Sequence, residues 1–175
     1  MIQFRDVAWR ALTGYDFGAV FDIANRVHPG FFETETVLAE KFALYRNGCY
    51  LLEVSEKPAG YVLSHPWRFG QVPALDSLLG ALPEDADIYY IHDLALLPVA
   101  RGSGAASACV HRLAAHARAS GFARMALVAV GNSAGFWRRQ GFREAHDEAL
   151  ARKLASYDDA ARYLVRDLKD DWRNA

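Results

Sequence analysis

The most strand-like run in the chain, Ile88 to Leu97, stops at Pro98, and Val99-Ala100-Arg101-Gly102-Ser103-Gly104-Ala105-Ala106 follows and opens directly into a helix. A buried strand that feeds a glycine loop and then a helix constrains the fold more than any other segment. Gly102, Ser103 and Gly104 lack bulk, so successive backbone N–H groups can close on an anion at the positive end of the helix. Arg101 adds charge at the rim. The alternative is a tight strand-to-helix turn whose glycines only allow the bend. A nucleotide P-loop is excluded because no Gly-x-x-x-x-Gly-Lys-Ser/Thr is present, and a dinucleotide fingerprint is excluded because the third glycine is missing.

The pattern on either side defines the remaining elements. Residues 2–7 read as a first strand. Phe17, Val20, Phe21, Ala24 and Val27 form one stripe of an amphipathic helix ended by Pro29-Gly30, and a second helix covers about 35–46. The period then changes: Cys49–Val54 and Ala59–Ser64, joined by Glu56-Lys57-Pro58, read as a β-hairpin. A loop carrying Pro66, Trp67, Gly70 and Pro73 leads toward residue 86. After the glycine loop, Ala106, Cys109, Val110, Leu113 and Ala117 share one helix face, and Met125–Val130 is a second continuous apolar strand. Asn132 caps a short helix ending at Gly141. A strand from Phe142, a polar loop and a final strand near Ala161–Leu168 complete the order. Strands and helices do not alternate throughout, so the expectation is one α+β domain spanning 1–175, not a doubly wound nucleotide fold.

Charge narrows the function classes. Lys plus Arg number 20 against 21 Asp plus Glu. Such a balance gives no electrostatic basis for general nucleic-acid binding. No apolar stretch approaches the roughly 20 residues that span a bilayer, and Met1–Val7 lacks the pattern of a secretory signal. A cytoplasmic domain that binds no membrane is the expectation. Cys49 and Cys109 read as small buried hydrophobes, and no metal-ligand pattern is seen.

Two motifs together carry a resemblance. Pro98-x-x-Arg101-Gly102-x-Gly104-x-Ala106 resembles the pyrophosphate loop of the GNAT (Gcn5-related N-acetyltransferase) superfamily. Asn132-Ser133-Ala134-Gly135-Phe136-Trp137-Arg138-Arg139-Gln140-Gly141-Phe142 is similar to its Asn-x-x-Ala-x-x-Phe-Tyr-x-x-x-Gly-Phe signature. Between Ala106 and Asn132 lie one helix and one strand, as that fold requires. The resemblance implies a mixed central sheet of about seven strands flanked by about four helices. It also implies an acetyl-CoA-dependent N-acetyltransferase, with acetyl-CoA as co-substrate and no metal. The strands 88–97 and 125–130 would splay apart around the pantetheine arm. Backbone groups of Leu94, Ala95 and Leu96 would pair with it, and one of their N–H groups would polarise the thioester carbonyl. Arg101, Gly102, Ser103, Gly104, Ala105 and Ala106 would hold the pyrophosphate, with Asn132, Phe136 and Trp137 lining the channel.

The chemistry needs a proton acceptor, because an alkylamine with a pKa of about 10 is protonated at neutral pH. Asp93 is the first candidate, with His92 and Tyr90 as alternatives. Asp93 also suits a hydrogen-bonding role, and His92 an orienting one. On strict alternation Ile91 and Asp93 share one face and Tyr90 and His92 the other, an assignment that a family-typical bulge would disturb. Trp137 departs from the pattern, since many relatives carry a tyrosine there whose hydroxyl protonates the departing thiolate. An indole N–H cannot do so, which leaves Tyr157 or Tyr90 as substitutes, or no acid at all. The acceptor would meet His28, Phe31, Phe32, Glu33 and Glu35, then His146, Asp147, Tyr157, Asp158 and Asp159. Such residues suit a small, cationic, partly apolar amine, with a protein amine as the competitor. A catalytically weak module that binds acyl-CoA as a signal is the other reading. Apolar residues of 161–168 permit pairing as a homodimer.

Overall fold

The computed structural model describes residues 6–155 and 158–169. One seven-stranded mixed sheet runs β1 (Val7–Ala11), β2 (Tyr50–Val54), β3 (Lys57–Trp67), β4 (Ile88–Leu96), β5 (Arg124–Ala129), β7 (Arg162–Asp167), β6 (Arg143–Glu144) in spatial order. Five α-helices cover it: α1 (Phe17–Val27), α2 (Glu35–Leu44), α3 (Ala105–Ala119), α4 (Ala134–Arg139) and α5 (Glu148–Ala155). The α+β expectation holds. Residues 2–5 of the expected first strand lie outside the described residues, and the described part begins at Val7.

Three expectations require correction. The polar loop expected before the last strand contains α5, whose buried residues are Leu150 and Leu154. Two apolar positions one turn apart are enough to seat a short helix on a sheet, but they leave little periodic signal. The loop expected from Pro66 begins later, because β3 continues through Trp67. Pairing with β2 stops at Val62, so β3 has no partner on that side at Pro66, and the missing N–H interrupts no ladder there. Ser133, not Asn132, directly precedes α4.

Side-chain alternation divides the core between two faces. Tyr89, Ile91, Met125 and Leu127 pack with Cys109, Val110 and Leu113 of α3 and with Trp137 of α4. On the other face, Tyr61 and Leu63 pack with Val20 and Ile23 of α1 and with Leu38 and Phe42 of α2. Ile88, Tyr90 and Ala126 meet Leu150 and Leu154 of α5 on that same side.

Two registers position the site. β4 pairs with β5 only at Tyr89↔Met125 and Tyr90↔Ala126, and beyond Tyr90 the strands part. On its other side β4 stays paired with β3, but Leu63 faces Asp93 while Ser64 faces Ile91. His92 is therefore an extra residue, a bulge in β4.

Glycine at position 60 keeps β3 close to this strand. A Cβ there would lie 2.7 Å from the Ala95 carbonyl oxygen and 3.2 Å from the Leu96 side chain. Gly60→Ala is expected to lower the unfolding free energy by about 1–3 kcal/mol. Gly18→Ala, on α1 with nothing within 4 Å of the added carbon, is expected to raise it by up to about 1 kcal/mol. Urea titration of the two variants checks the opposite signs.

Candidate active site

The wedge between β4 and β5 opens into a cleft of about 820 Å³. Arg101, Asn132, Ser133, Phe136 and Trp137 line one end, while His28, Glu33, Tyr90, His92 and Asp93 are reached from the α1–α2 side. Leu94 joins them, and of the expected acceptor residues His28, Phe31 and Glu33 line this space, whereas Asp158 and Asp159 line a separate one. Ala95 points away into the α1–α2 core, and Leu96 packs against Ala100 and Ala105, so any role of these two falls to their backbone.

The loop before α3 has the expected local chemistry. Gly102 and Gly104 have φ of 76° and 81°, a region costly for residues with a Cβ, and Gly104 precedes the first residue of a fifteen-residue helix. No heavy atom lies within 4 Å of the Cβ that either glycine lacks. The Ser103 hydroxyl donates to Ala100 O (2.7 Å) and accepts from Ala105 N (3.3 Å), fixing the turn. Arg101 Nε donates to Leu96 O at 3.3 Å, which ties the loop to the end of β4. Open space, positive-φ glycines and a helix N-terminus together fit a pyrophosphate.

Bulging at His92 changes the side-chain geometry. Before it, Tyr90 faces the α1–α2 side; after it, so does Asp93, and His92 between them turns the same way. Strict alternation had placed His92 and Asp93 on opposite faces. Asp93 accepts a hydrogen bond from His28 Nε2 at 2.8 Å and another from the Tyr61 hydroxyl. His92 Nε2 lies 3.1 and 3.3 Å from the two Glu33 oxygens. The result is two imidazole–carboxylate pairs side by side.

Burial and charge act against one another in these pairs. Burial would keep the Asp93 carboxyl protonated, but His28, Tyr61 and His92 outweigh it and hold its pKa below the ordinary value. Burial likewise disfavours charge on His28, yet the neighbouring Asp93 raises its pKa above 6.5. The Tyr61 hydroxyl is pushed well up by burial and by the Asp93 charge, so it remains a donor. His65, wholly buried, is pushed down to about 3, chiefly by burial. Its Nδ1–H donates to Pro66 O at 2.9 Å, and its ring centroid lies 6.0 Å from that of His92 and 5.7 Å from that of Tyr90. Among the described residues, His92 Nδ1 has no hydrogen-bond partner.

Several residues at this end carried little or no signal in the sequence. Tyr61, Leu63 and His65 share a face of β3 by period 2, and that spacing could have placed Tyr61 and His65 beside β4. Lys41 is 1% exposed and belongs to no motif. Tyr157 lies outside the described residues.

Comparison with known proteins agrees with the fold. A family model described as the acetyltransferase (GNAT) family matches residues 17–142. No curated protein matches the sequence. Among solved structures, the GNAT-like decarboxylase GphF in complex with isobutyryl-CoA superposes with a TM-score of 0.77 at 16% identity, covering 92% of this chain and 99% of that one. Ard1 from Thermoplasma volcanium gives 0.71 at 14% identity, with 92% and 97% covered. Arabidopsis thaliana Naa50, in complex with the bisubstrate analogue CoA-Ac-MVNAL, gives 0.68 at 13% identity, with 91% and 96% covered.

The His28–Asp93 pair has a pH signature. The raised His28 value contributes stability that is fully present below its unfolded pKa of 6.5 and lost as pH rises through the folded value. The lowered Asp93 value contributes stability present above 3.8 and lost as pH falls through the folded value. Wild type should therefore exceed His28→Ala in Tm most between about pH 4 and 6.5, with the gap shrinking toward pH 9. Thermal melts across that range check it, and a constant gap would assign the difference to packing.

Proposed function

The chain belongs to the acetyltransferase (GNAT) family, and from that premise we propose that it moves the acetyl group of acetyl-CoA to a primary amine by direct attack on the thioester. The observation that carries this reading is the coincidence of two features of β4. The strand leaves β5 after Tyr90, and at that point a bulge turns His92 and Asp93 toward the acceptor side.

Each group has a distinct task in the proposed reaction. Gly102, Gly104 and the first turn of α3 hold the pyrophosphate, and backbone groups of Leu94–Leu96 align the pantetheine arm. The CoA thioester supplies the activated acyl group, and a β4 N–H aimed at its carbonyl favours the charge that develops there. An arriving ammonium is attracted to Glu33, and the Glu33–His92 pair takes up its proton. Asp93, with both oxygens already engaged and its pKa lowered, serves to hold His28 and Tyr61 in place. Tyr90 packs against His65 and His92 and limits the movement of the imidazole.

Charge also separates amine transfer from decarboxylation, the chemistry in the name of one structural neighbour. A malonyl-type carboxylate would enter beside Glu33 and Asp93 and be repelled, whereas an ammonium is drawn in. A second reading, binding of acyl-CoA without turnover, is favoured by Trp137 alone, because its indole cannot protonate a leaving thiolate. A thiol pKa of about 8.5 makes the thiolate a tolerable leaving group without that help.

Calorimetry with acetyl-CoA, CoA and an unrelated nucleotide, followed by an amine screen that reads CoA release, separates these readings. Micromolar binding of the CoA species is expected and should be lost in Gly104→Trp. His92→Gln should lower kcat by about 10²–10⁴-fold, the usual contribution of a general base, with CoA affinity unchanged. Binding without CoA release for any amine would leave the non-catalytic reading. No CoA binding by a folded sample would remove both.

A further inference from the structure

The acceptor end of the cleft combines an acidic floor with apolar walls. Glu33 and Asp93 form the floor, with side chains 10% and 16% exposed, and each is paired with an imidazole. Phe31, Val72, Pro73 and Leu75 stand around them. Of these, Leu75 is 42% exposed.

This wall is fixed in advance of any ligand. Residues 72–80 form no regular element, yet α2 and the residue before it anchor them by side-chain and backbone bonds. The Glu40 carboxylate accepts from Leu79 N (2.7 Å) and Gly80 N (2.8 Å). Buried Lys41 Nζ donates to Ser77 O at 3.2 Å. Asp76 accepts from Thr34 N at 2.7 Å and holds a left-handed φ of 52°. A buried lysine in α2 committed to this loop, and an aspartate at positive φ within it, are costly if the loop only connects two strands. They hold Leu75 at the cleft and Val72 and Pro73 behind it, and a preorganised wall of this kind spends no binding energy on ordering.

Resting on the acyltransferase reading, we infer that the acceptor is a small primary monoamine whose single ammonium reaches Glu33 and whose apolar body lies along the Phe31–Leu75 wall. Each methylene removed from water against this wall strengthens binding, whereas a second charge at the far end of the amine would be stripped of water beside Val72, Pro73 and Leu75. The site therefore selects alkyl- or arylalkylamines over diamines and polyamines of equal length.

The test is a series of acceptors, ethylamine to hexylamine, with 1,6-diaminohexane and a short peptide of apolar N-terminus, assayed by CoA release. kcat/KM should climb about fourfold per methylene, the factor equivalent to burying one CH₂. The diamine should fall at least about tenfold below hexylamine. Leu75→Ser, a partly exposed position, should flatten the slope, with CoA affinity by calorimetry as the check that the rest of the cleft is intact. A flat series, a diamine equal to hexylamine, or a peptide better than every free amine overturns the inference and leaves the acyltransferase reading standing. No CoA release with any acceptor, in a sample that binds CoA, overturns that reading and the inference with it.

Discussion

One extra residue in β4 sets the arrangement of everything at the cleft. In a regular strand, neighbouring side chains point to opposite faces, so His92 and Asp93 could not both serve one site. The bulge at His92 restores the β3 ladder from Asp93 to Leu96 while rotating the side-chain sequence by one position. Tyr90, His92 and Asp93 then face the α1–α2 side, and Leu94 faces α3. β4 also parts from β5 after Tyr90, so the opening and the polar groups that line it fall at the same place in the strand.

Placing so many polar groups together has a thermodynamic cost. Glu33, Lys41, His65 and His92 are buried or nearly so, and Asp93 is 16% exposed. Buried ion pairs barely repay their desolvation, although removing one partner is strongly destabilising. Pairing is therefore close to obligatory: His28 with Asp93, Glu33 with His92, Lys41 with backbone carbonyls. These bonds also join the residues after α1 to β4 and the 72–80 segment to α2. The 72–80 segment and β4 are in this way each held by polar bonds of their own beside the same cleft, while the hydrophobic clusters supply the stability.

The sequence made the glycine-loop half of the cleft legible and left the half around Glu33, His92 and Asp93 obscure, for physical reasons. A phosphate cradle requires residue types, small and permissive of positive φ, at adjacent positions, so Arg101-Gly102-Ser103-Gly104 is visible as a string. Strands buried on both faces are continuous apolar runs, which is how Ile88–Leu97 and Met125–Val130 stood out. The other half depends on registers instead. Nothing in the composition of Ile91-His92-Asp93 marks the bulge, and Glu33 and Tyr61 reach β4 from segments distant in sequence. The helix α5 was hidden by its brevity, and the end of β3 by a proline that an unpartnered strand side tolerates.

Trp137 links the two halves. Its side chain is 7% exposed and packed against Phe136 and Phe142, with ring centroids 5.0 and 5.5 Å apart, in the same cluster as Leu113 and Met125. Its stake in the core is large, so it cannot be read as a failed tyrosine. Its side chain lines the α4 side of the cleft, and its indole can supply no acid there. In the proposed reaction, the proton that matters most is then the one on the incoming amine, because a CoA thiolate can depart without assistance near neutral pH whereas an ammonium cannot attack. That asymmetry accounts for why the polar groups are concentrated at the acceptor end, around Glu33 and His92, and why the leaving-group end is built of aromatic rings.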